Sequence, residues 1–346
     1  MRHTNRADRR THAVNAFPGH AARGRPEVLA GAEAEPLDRR WSAASRYGRR
    51  ARVVATSPLT AGSLLLRFEV VDDGPFVFEP GNFVGVEAKV EGLGYRRSPY
   101  CIVSAPNADR HFDLLVRLVT DGPVSSWLAA LQPGDEIAFR GPTGRSMVPR
   151  DLDRDLVLVG TGVGVGPLWS LATHLLEAGY EREIRLFWGL RTVEDLCLTD
   201  ELDALAARYP NFSWHVTLSR PPAGWSGLRG RVTESVPPLL ERLAGQHFVL
   251  CGNGSMIDEL SAALSDVGVA QQHVHGEAYF GTRARPDPGA VAAIRERFAA
   301  ADLFSAFAHQ ASTLFAVDHL LGSAGNADPA APSDVFTGPD FLAHTR

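Results

Sequence analysis

From Leu156 to Leu168 an apolar run, Leu-Val-Leu-Val, breaks into glycines at Gly160, Gly162, Gly164 and Gly166, then resumes at Pro167-Leu168 as the start of a helix. A β-branched strand ending in such a turn brings bare backbone N–H groups and the positive end of a helix dipole to one point, which suits an anion. Glycines in a strand-to-helix turn also serve close packing alone, so the turn by itself leaves both readings open. The GxGxxG dinucleotide fingerprint is not met, because Val165 stands where a third glycine would follow Gly160 and Gly162.

The surrounding chain bounds what the turn can belong to. At 346 residues and 45% hydrophobic content it can bury two domain-sized cores. No stretch reaches the apolar length that spans a bilayer, so no membrane association is expected. A net charge of -5 argues against a general nucleic-acid binder. Cys101, Cys197 and Cys251 are too far apart for a disulfide framework or a CxxC site, and too few to hold an iron–sulfur cluster. A reducing, cytoplasmic setting is expected. His309 and His319 are too widely spaced on one helix for a metal pair, and no metal site is expected.

The rhythm of the chain divides it into four. Residues 1–49 carry Arg9-Arg10 and Arg39-Arg40 among alanines, glycines and prolines with no periodicity, and read as a disordered tail. Residues 50–150 hold short alternating strands at roughly ten-residue spacing, with turns such as Glu79-Pro80-Gly81 and Gln132-Pro133-Gly134-Asp135, implying a small antiparallel β-barrel. One helix, Ser125 to Leu131, interrupts them, with Ser125 as its cap. Residues 151–281 alternate strand and helix, the mark of a parallel sheet covered on both faces, and include an expected helix from Val236 to Ala244. Residues 282–346 read as a helical extension, with Val291, Ile294 and Phe298 at helical spacing, then Phe304, Phe307, Leu314 and Phe315.

Five motifs follow one another through the two central regions. Arg97-Ser98-Pro99-Tyr100-Cys101-Ile102-Val103-Ser104 offers an aromatic face and a guanidinium on one strand. Gly122-Pro123-Val124-Ser125-Ser126-Trp127-Leu128 opens the barrel's helix, after a strand carrying Arg117 and Val119. The glycine turn is third. Phe187-Trp188-Gly189-Leu190-Arg191-Thr192 is fourth, with Val216-Thr217-Leu218-Ser219-Arg220 and then Arg229 beyond it. Val249-Leu250-Cys251-Gly252-Asn253-Gly254-Ser255-Met256 is fifth, followed by Glu277-Ala278-Tyr279-Phe280.

In this order, over residues 50 to 280, the set resembles the ferredoxin–NADP reductase superfamily. The resemblance implies FAD on the barrel and NADP, with NAD as the other possibility, on the sheet. Tyr100 would cover the flavin ring, Arg97 (or Arg96) its phosphates, and Cys101 would stand where a serine or threonine faces flavin N5. Ile102, Val103, Arg117, Val119, Gly122, Val124 and Ser125 would complete the flavin site. Thr161, Gly162, Val163, Gly164, Gly166 and Pro167 would hold the dinucleotide pyrophosphate, Val163 replacing the usual threonine. Gly189, Arg191, Ser219, Arg220 and Arg229 would lie along the adenosine side, the last three favouring a 2′-phosphate. Cys251, Gly252, Met256 and Glu277 would stand beside the nicotinamide, and Phe280, or else Tyr279, would stack on the flavin. The implied activity is electron transfer between NADPH and a separate ferredoxin or flavodoxin. One alternative is the reductase component of a multi-component oxygenase; another, raised by Cys101 and Val163, is a flavin-binding regulatory protein without turnover.

Overall fold

The structure, a computed structural model, describes residues 48–280 and 286–298. Alternation of apolar and polar residues builds the first sheet. In β2 (Ser63–Val70), Leu64, Leu66, Phe68 and Val70 turn inward while Arg67 faces out. With β1 (Arg49–Thr60), β3 (Phe83–Val90), β4 (Gly94–Cys101), β5 (His111–Arg117) and β6 (Glu136–Thr143), it forms a six-stranded antiparallel sheet in the order β4-β3-β6-β1-β2-β5. An antiparallel bridge from Ile102 to Leu114 joins its two edges and closes the barrel.

Aromatic packing fills the interior. Phe112 lies 5.1 Å from Phe68 and 5.2 Å from Phe139, ring centre to ring centre. Across β2 and β5 the almost fully buried Asp113 accepts a bidentate pair from Arg67, with both bonds at 2.8 Å.

The barrel's helix, α1 (Pro123–Ala129), starts earlier than expected, and its cap is Gly122 rather than Ser125. Proline at the first helical position explains the shift: its ring presets φ, and its missing N–H would have had no helical partner. The Ser125 hydroxyl, inside the first turn, donates instead to the Gly122 carbonyl at 3.0 Å.

The second sheet is wholly parallel: β7 (Asp155–Thr161), β8 (Ile184–Leu190), β9 (Phe212–Leu218), β10 (Leu228–Arg229), β11 (Gln246–Asn253) and β12 (Val274–Phe280), in the order β10-β9-β8-β7-β11-β12. β7 and β11 are buried on both faces, which is why they read as unbroken apolar runs. α2 (Val165–Glu177), α3 (Thr199–Arg208), α4 (Val232–Ser235), α5 (Gly254–Asp266) and α6 (residues 288–298) complete this half. α6 buries Val291, Ile294 and Phe298 in the same cluster as Ile257 and Leu260 of α5.

The helix expected from Val236 to Ala244 does not form. Helical turns instead occupy α4, and Pro237-Pro238 ends them, leaving two short 3-10 turns, Pro237–Leu239 and Leu243–Gly245. Among the described residues no helix is long and apolar enough to cross a membrane. The first 47 residues of the expected tail lie outside the described residues, as does the extension beyond residue 298 with Phe304, Phe307, His309, Leu314, Phe315 and His319.

Candidate flavin and dinucleotide site

Strand order reverses between β7 and β11: β8 and β9 lie on one side of β7, while β11 and β12 lie on the other. A crevice therefore opens at their carboxyl ends, the position where open parallel sheets receive ligands. The 3-10 turn Gly162–Gly164 emerges there from β7 and leads into α2. α2 has no side-chain cap and no acidic residue in its first turn; the Val165 N–H is taken up by the Gly162 carbonyl of the preceding turn, and Pro167 brings no N–H. The neighbouring α5 is different: the Asn253 side chain accepts from the Met256 N–H at 3.2 Å and closes that terminus. Of the two helix starts at the crevice, α2 is the one without a side-chain cap.

Two side chains fix the turn. Trp188, at the end of β8 and fully buried, donates from its indole Nε1 to the Gly162 carbonyl at 2.8 Å. The Thr161 hydroxyl accepts from the Asn253 N–H at 2.9 Å, tying the end of β7 to that of β11.

The glycines divide in purpose. A Cβ on Gly164 would stand 2.5 Å from the Cys251 carbonyl oxygen, one on Gly160 2.9 Å from Leu168, and one on Gly166 would strike Val103 of the barrel. These three permit close packing. Gly162, at φ +56, has only the Arg117 guanidinium near, at 3.8 Å, and is the glycine open to a ligand. Packing thus accounts for three of the four glycines, and Gly162 alone is left open. Val163 is partly buried against the same core as α2, with no hydroxyl to offer. Pro167 is buried in the first turn of α2.

On the barrel side Tyr100 is half-buried and packs on the barrel core. Its cross-strand partner is Val84, and Arg96 stands opposite Ala88, so Arg96 and Tyr100 share one face of β4. Arg97 lies on the other face, where it is ion-paired with Glu87. Among the described residues Arg96 hydrogen-bonds its neighbour's carbonyl, Tyr95 O, at 3.0 Å. Arg117 and Val119 are exposed. Ile102 and Val124 are buried in the barrel core, and Val103 is buried against Gly166, so none of the three turns its side chain to a ligand. An aromatic face, two exposed guanidiniums and apolar surface at Val119 form a donor set that fits FAD.

Where the two halves meet, Cys101 at the end of β4 approaches Cys251 of β11 and Tyr279 of β12. The Tyr279 hydroxyl is enclosed with no nitrogen or oxygen partner among the described residues, and what it meets are the two thiols. Burial pushes the Cys101 thiol up to about 12 and drives Cys251 and Tyr279 upward as well. Glu277 pairs in register with Cys251, and its charge adds to the rise at both cysteines. Both sulfurs are therefore neutral thiols at ordinary pH. The side chain of Phe280 lies outside the described residues.

Along the adenosine side, Ser219 and Arg220 follow β9 and are exposed, their N–H groups donating to Leu190 O at 3.0 Å and Arg191 O at 2.8 Å. Arg229, on β10 beside them, spends one guanidinium N–H on Trp225 O at 2.7 Å. Among the described residues the Arg220 guanidinium has no hydrogen bond or ion pair. Gly189 admits Val232 of α4, and Arg191 is exposed just past β8. Met256 is buried at the start of α5 and Gly252, at φ +126, abuts Thr161. Sequence reasoning missed Trp188 and Asn253 as supports of the turn; the tryptophan ending a strand beside a glycine turn was the available signal.

The family profile described as oxidoreductase FAD-binding domain matches residues 51–147, and the oxidoreductase NAD-binding domain profile matches residues 158–261. The ferredoxin--NADP reductase B of Sorangium cellulosum is 36% identical over 236 residues, covering 66% of this chain and 96% of that protein. The reductase component of the naphthalene 1,2-dioxygenase/salicylate 5-hydroxylase systems of Ralstonia is 30% identical over 207 residues, 60% of this chain and 62% of its own. The glycine betaine monooxygenase reductase subunit of Chromohalobacter salexigens is 31% identical over 219 residues, with 60% and 58% covered. The chain thus spans about three-fifths of these two oxygenase-type relatives. In fold it is similar to the Amycolatopsis cytochrome P450 reductase GcoB, with a TM-score of 0.61 at 24% identity over 67% of this chain and 69% of that one. The Neisseria gonorrhoeae ferredoxin NADP+ reductase with bound FAD and NADP gives 0.56 at 24%, over 67% and 98%.

Proposed function

Because this chain belongs to the ferredoxin–NADP reductase family of FAD- and NAD-binding oxidoreductases, we propose that it draws electrons from NADPH and delivers them singly to a separate ferredoxin or flavodoxin. The observation that carries the reading is the 36% identity across 96% of the Sorangium ferredoxin--NADP reductase B, against about three-fifths coverage of the oxygenase-type relatives. Bound FAD supplies the conversion between a two-electron hydride donor and a one-electron carrier.

The chain's own residues bind and orient. Tyr100 backs the flavin ring, and Arg96, on the same face, takes the phosphate role in preference to Arg97, whose charge is met by Glu87. The open turn at Gly162 and the uncapped start of α2 hold the dinucleotide pyrophosphate. Arg220, with Ser219 and Arg229, holds the adenosine 2′-phosphate, and no carboxylate stands in their place to bind a free 2′-hydroxyl. Cys101, Cys251 and Glu277 line the place for the nicotinamide, and Tyr279 is the aromatic brought against it. The two thiols stay neutral there and add no charge to that of Glu277.

The test is anaerobic bleaching of the yellow full-length protein with NADPH and NADH in parallel, followed by addition of ferredoxin or flavodoxin. NADPH is expected to bleach faster. Arg220→Ala is expected to lower the NADPH rate at limiting cofactor about tenfold, the loss of one charged hydrogen bond, and to leave the NADH rate unchanged. Equal rates with both nucleotides would remove the NADP assignment. Reoxidation by an oxygenase component but by neither small carrier would move the protein to the oxygenase reading.

A further inference from the structure

At the opposite, amino end of the parallel sheet, three ligand-bearing side chains from separate parts of the chain converge. Asp151 lies in the segment before β7, His247 is the second residue of β11, and His273 ends the 3-10 turn Gln271–His273 that leads into β12. β7, β11 and β12 are neighbours, so their starts lie side by side. One ligand atom from each residue can be chosen so that all three lie within 4.8 Å of one another.

We propose that this cluster is a binding site for Zn²⁺ or another imidazole-preferring divalent transition-metal ion. The two histidine Nδ1 atoms are its protein ligands, Asp151 is the positioning residue behind them, and water fills the remaining positions. The geometry carries the proposal. The two Nδ1 atoms are 3.3 Å apart, and two nitrogens about 2.0–2.1 Å from a tetrahedral ion stand about 3.3 Å from each other. Asp151 Oδ1 lies 2.6 Å from His247 Nε2. That bond places the His247 proton on Nε2 and turns the Nδ1 lone pair toward His273, the carboxylate–histidine pattern that orients metal ligands.

His273 is held in the same way, since the Gln272 side-chain amide lies 3.3 Å from its Nε2 and a half-turn presents either oxygen or nitrogen there. Both imidazoles thus have an outer partner, and their inner nitrogens are neighbours on rings inclined at 61°. His247 is buried and Asp151 exposed, so the site has a dry wall and an open approach. Of the nearby charges, Arg154 lies 3.8 Å from Asp151 and 3.9 Å from Asp153, with one N–H committed to Ala244 O at 2.6 Å. Two acidic groups offset it. The competing occupant of the point between the rings is a shared proton, which would leave an Nδ1–H···Nδ1 hydrogen bond.

A bound ion would pin the turn before β12 to the start of β11, at the far end of the strands that carry Cys251, Glu277 and Tyr279. The test uses the full-length, FAD-loaded protein after treatment with a chelator, titrated with Zn²⁺ by calorimetry and with Co²⁺ by its tetrahedral visible absorption. One ion per chain is expected, with tetrahedral Co²⁺ bands. Asp151→Asn should weaken binding about tenfold, as outer-shell losses do. His273→Gln, on a partly exposed turn, should weaken it at least a hundredfold while flavin content stays intact; His247→Gln should do the same, and if that variant loses its flavin, His273→Gln decides. Equal affinity in wild type and His273→Gln would assign the ion to another of the twelve histidines and overturn the proposal. Absence of binding at millimolar Zn²⁺ would make the pair a proton-sharing one. Neither result touches the bleaching assay, which reads the other end of the sheet.

Discussion

The carboxyl ends of β7, β8 and β11 and the amino ends of β7 and β11 belong to the same strands, yet they are built from opposite materials. At the carboxyl end the working surface is backbone: Gly162, the uncapped start of α2, and Gly164 pressed on the Cys251 carbonyl. At the amino end it is side chains: Asp151, His247 and His273, hydrogen-bonded at 2.6 and 3.3 Å, with Arg154 ion-paired to Asp151 at 3.8 Å. The difference follows from what each end can exclude. Bare peptide groups can approach a phosphate or each other only where no Cβ intervenes, whereas imidazoles and carboxylates need room and a wet side. Substitutions should therefore act steeply and locally at the first end and through ligand chemistry at the second.

The largest break is expected from Gly252→Ala. Its φ of +126 disfavours any L side chain, and a Cβ there would strike the Thr161 hydroxyl and lie 2.7 Å from the Thr161 carbonyl oxygen. Strain and steric overlap together should cost about 3 kcal/mol in urea unfolding and abolish bleaching by NADPH. Gly268→Ala is the matched control: φ is +89 but nothing lies within 4 Å of the added Cβ, so only strain remains, about 1 kcal/mol. Similar losses in the two variants would show that conformation, not close approach, governs the crevice.

Next is Trp188→Phe, which keeps an aromatic in the strand but removes the indole donor to Gly162 O. The Gly162 carbonyl keeps its bond from the Val165 N–H, so the lost indole bond and a small cavity should together cost about 2 kcal/mol. Because the lost bond ends on the glycine turn, NADPH affinity should fall while bound flavin stays unchanged. A stability loss with unaltered NADPH affinity would place the tryptophan in the core alone.

Much of this division was legible in the sequence. The unbroken apolar run before Gly160 and the change of period near Asp151 are consequences of burial on two faces against burial on one. Other features were hidden for physical reasons. Ser125 looked like a cap, but Pro123 occupied the first helical position and moved the helix start to its N-terminal side. Arg97 looked paired with Tyr100, yet a spacing of three residues on a strand puts them on opposite faces; the parity was readable and favours Arg96. Pro237-Pro238 was equally visible against the helix assigned across it. His247 and His273 carry no local pattern at all, because only the pairing of β11 with β12 brings them together.

The smallest effect concerns the place where the two halves meet, and it appears only at high pH. Burial raises the Cys101 thiol from its ordinary 9 to about 12 in the folded protein, while the unfolded chain releases that proton near 9. The folded state thus holds more protons in that window, so its stability is full below pH 9 and declines as pH rises toward 12. Cys251 and Tyr279, also raised by burial, pull in the same direction. Urea midpoints followed across that range should fall steadily in the wild type and less steeply in Cys101→Ser, whose hydroxyl does not titrate there. The amino end supplies the contrast: His273→Gln should leave the alkaline slope unchanged, because burial lowers that imidazole from its ordinary 6.5, and Tyr180, raised by burial beside Arg154, contributes alike in both proteins. An identical slope in wild type and Cys101→Ser would mean that the thiol is hydrated in solution and that the crevice between the halves is open to water at its centre.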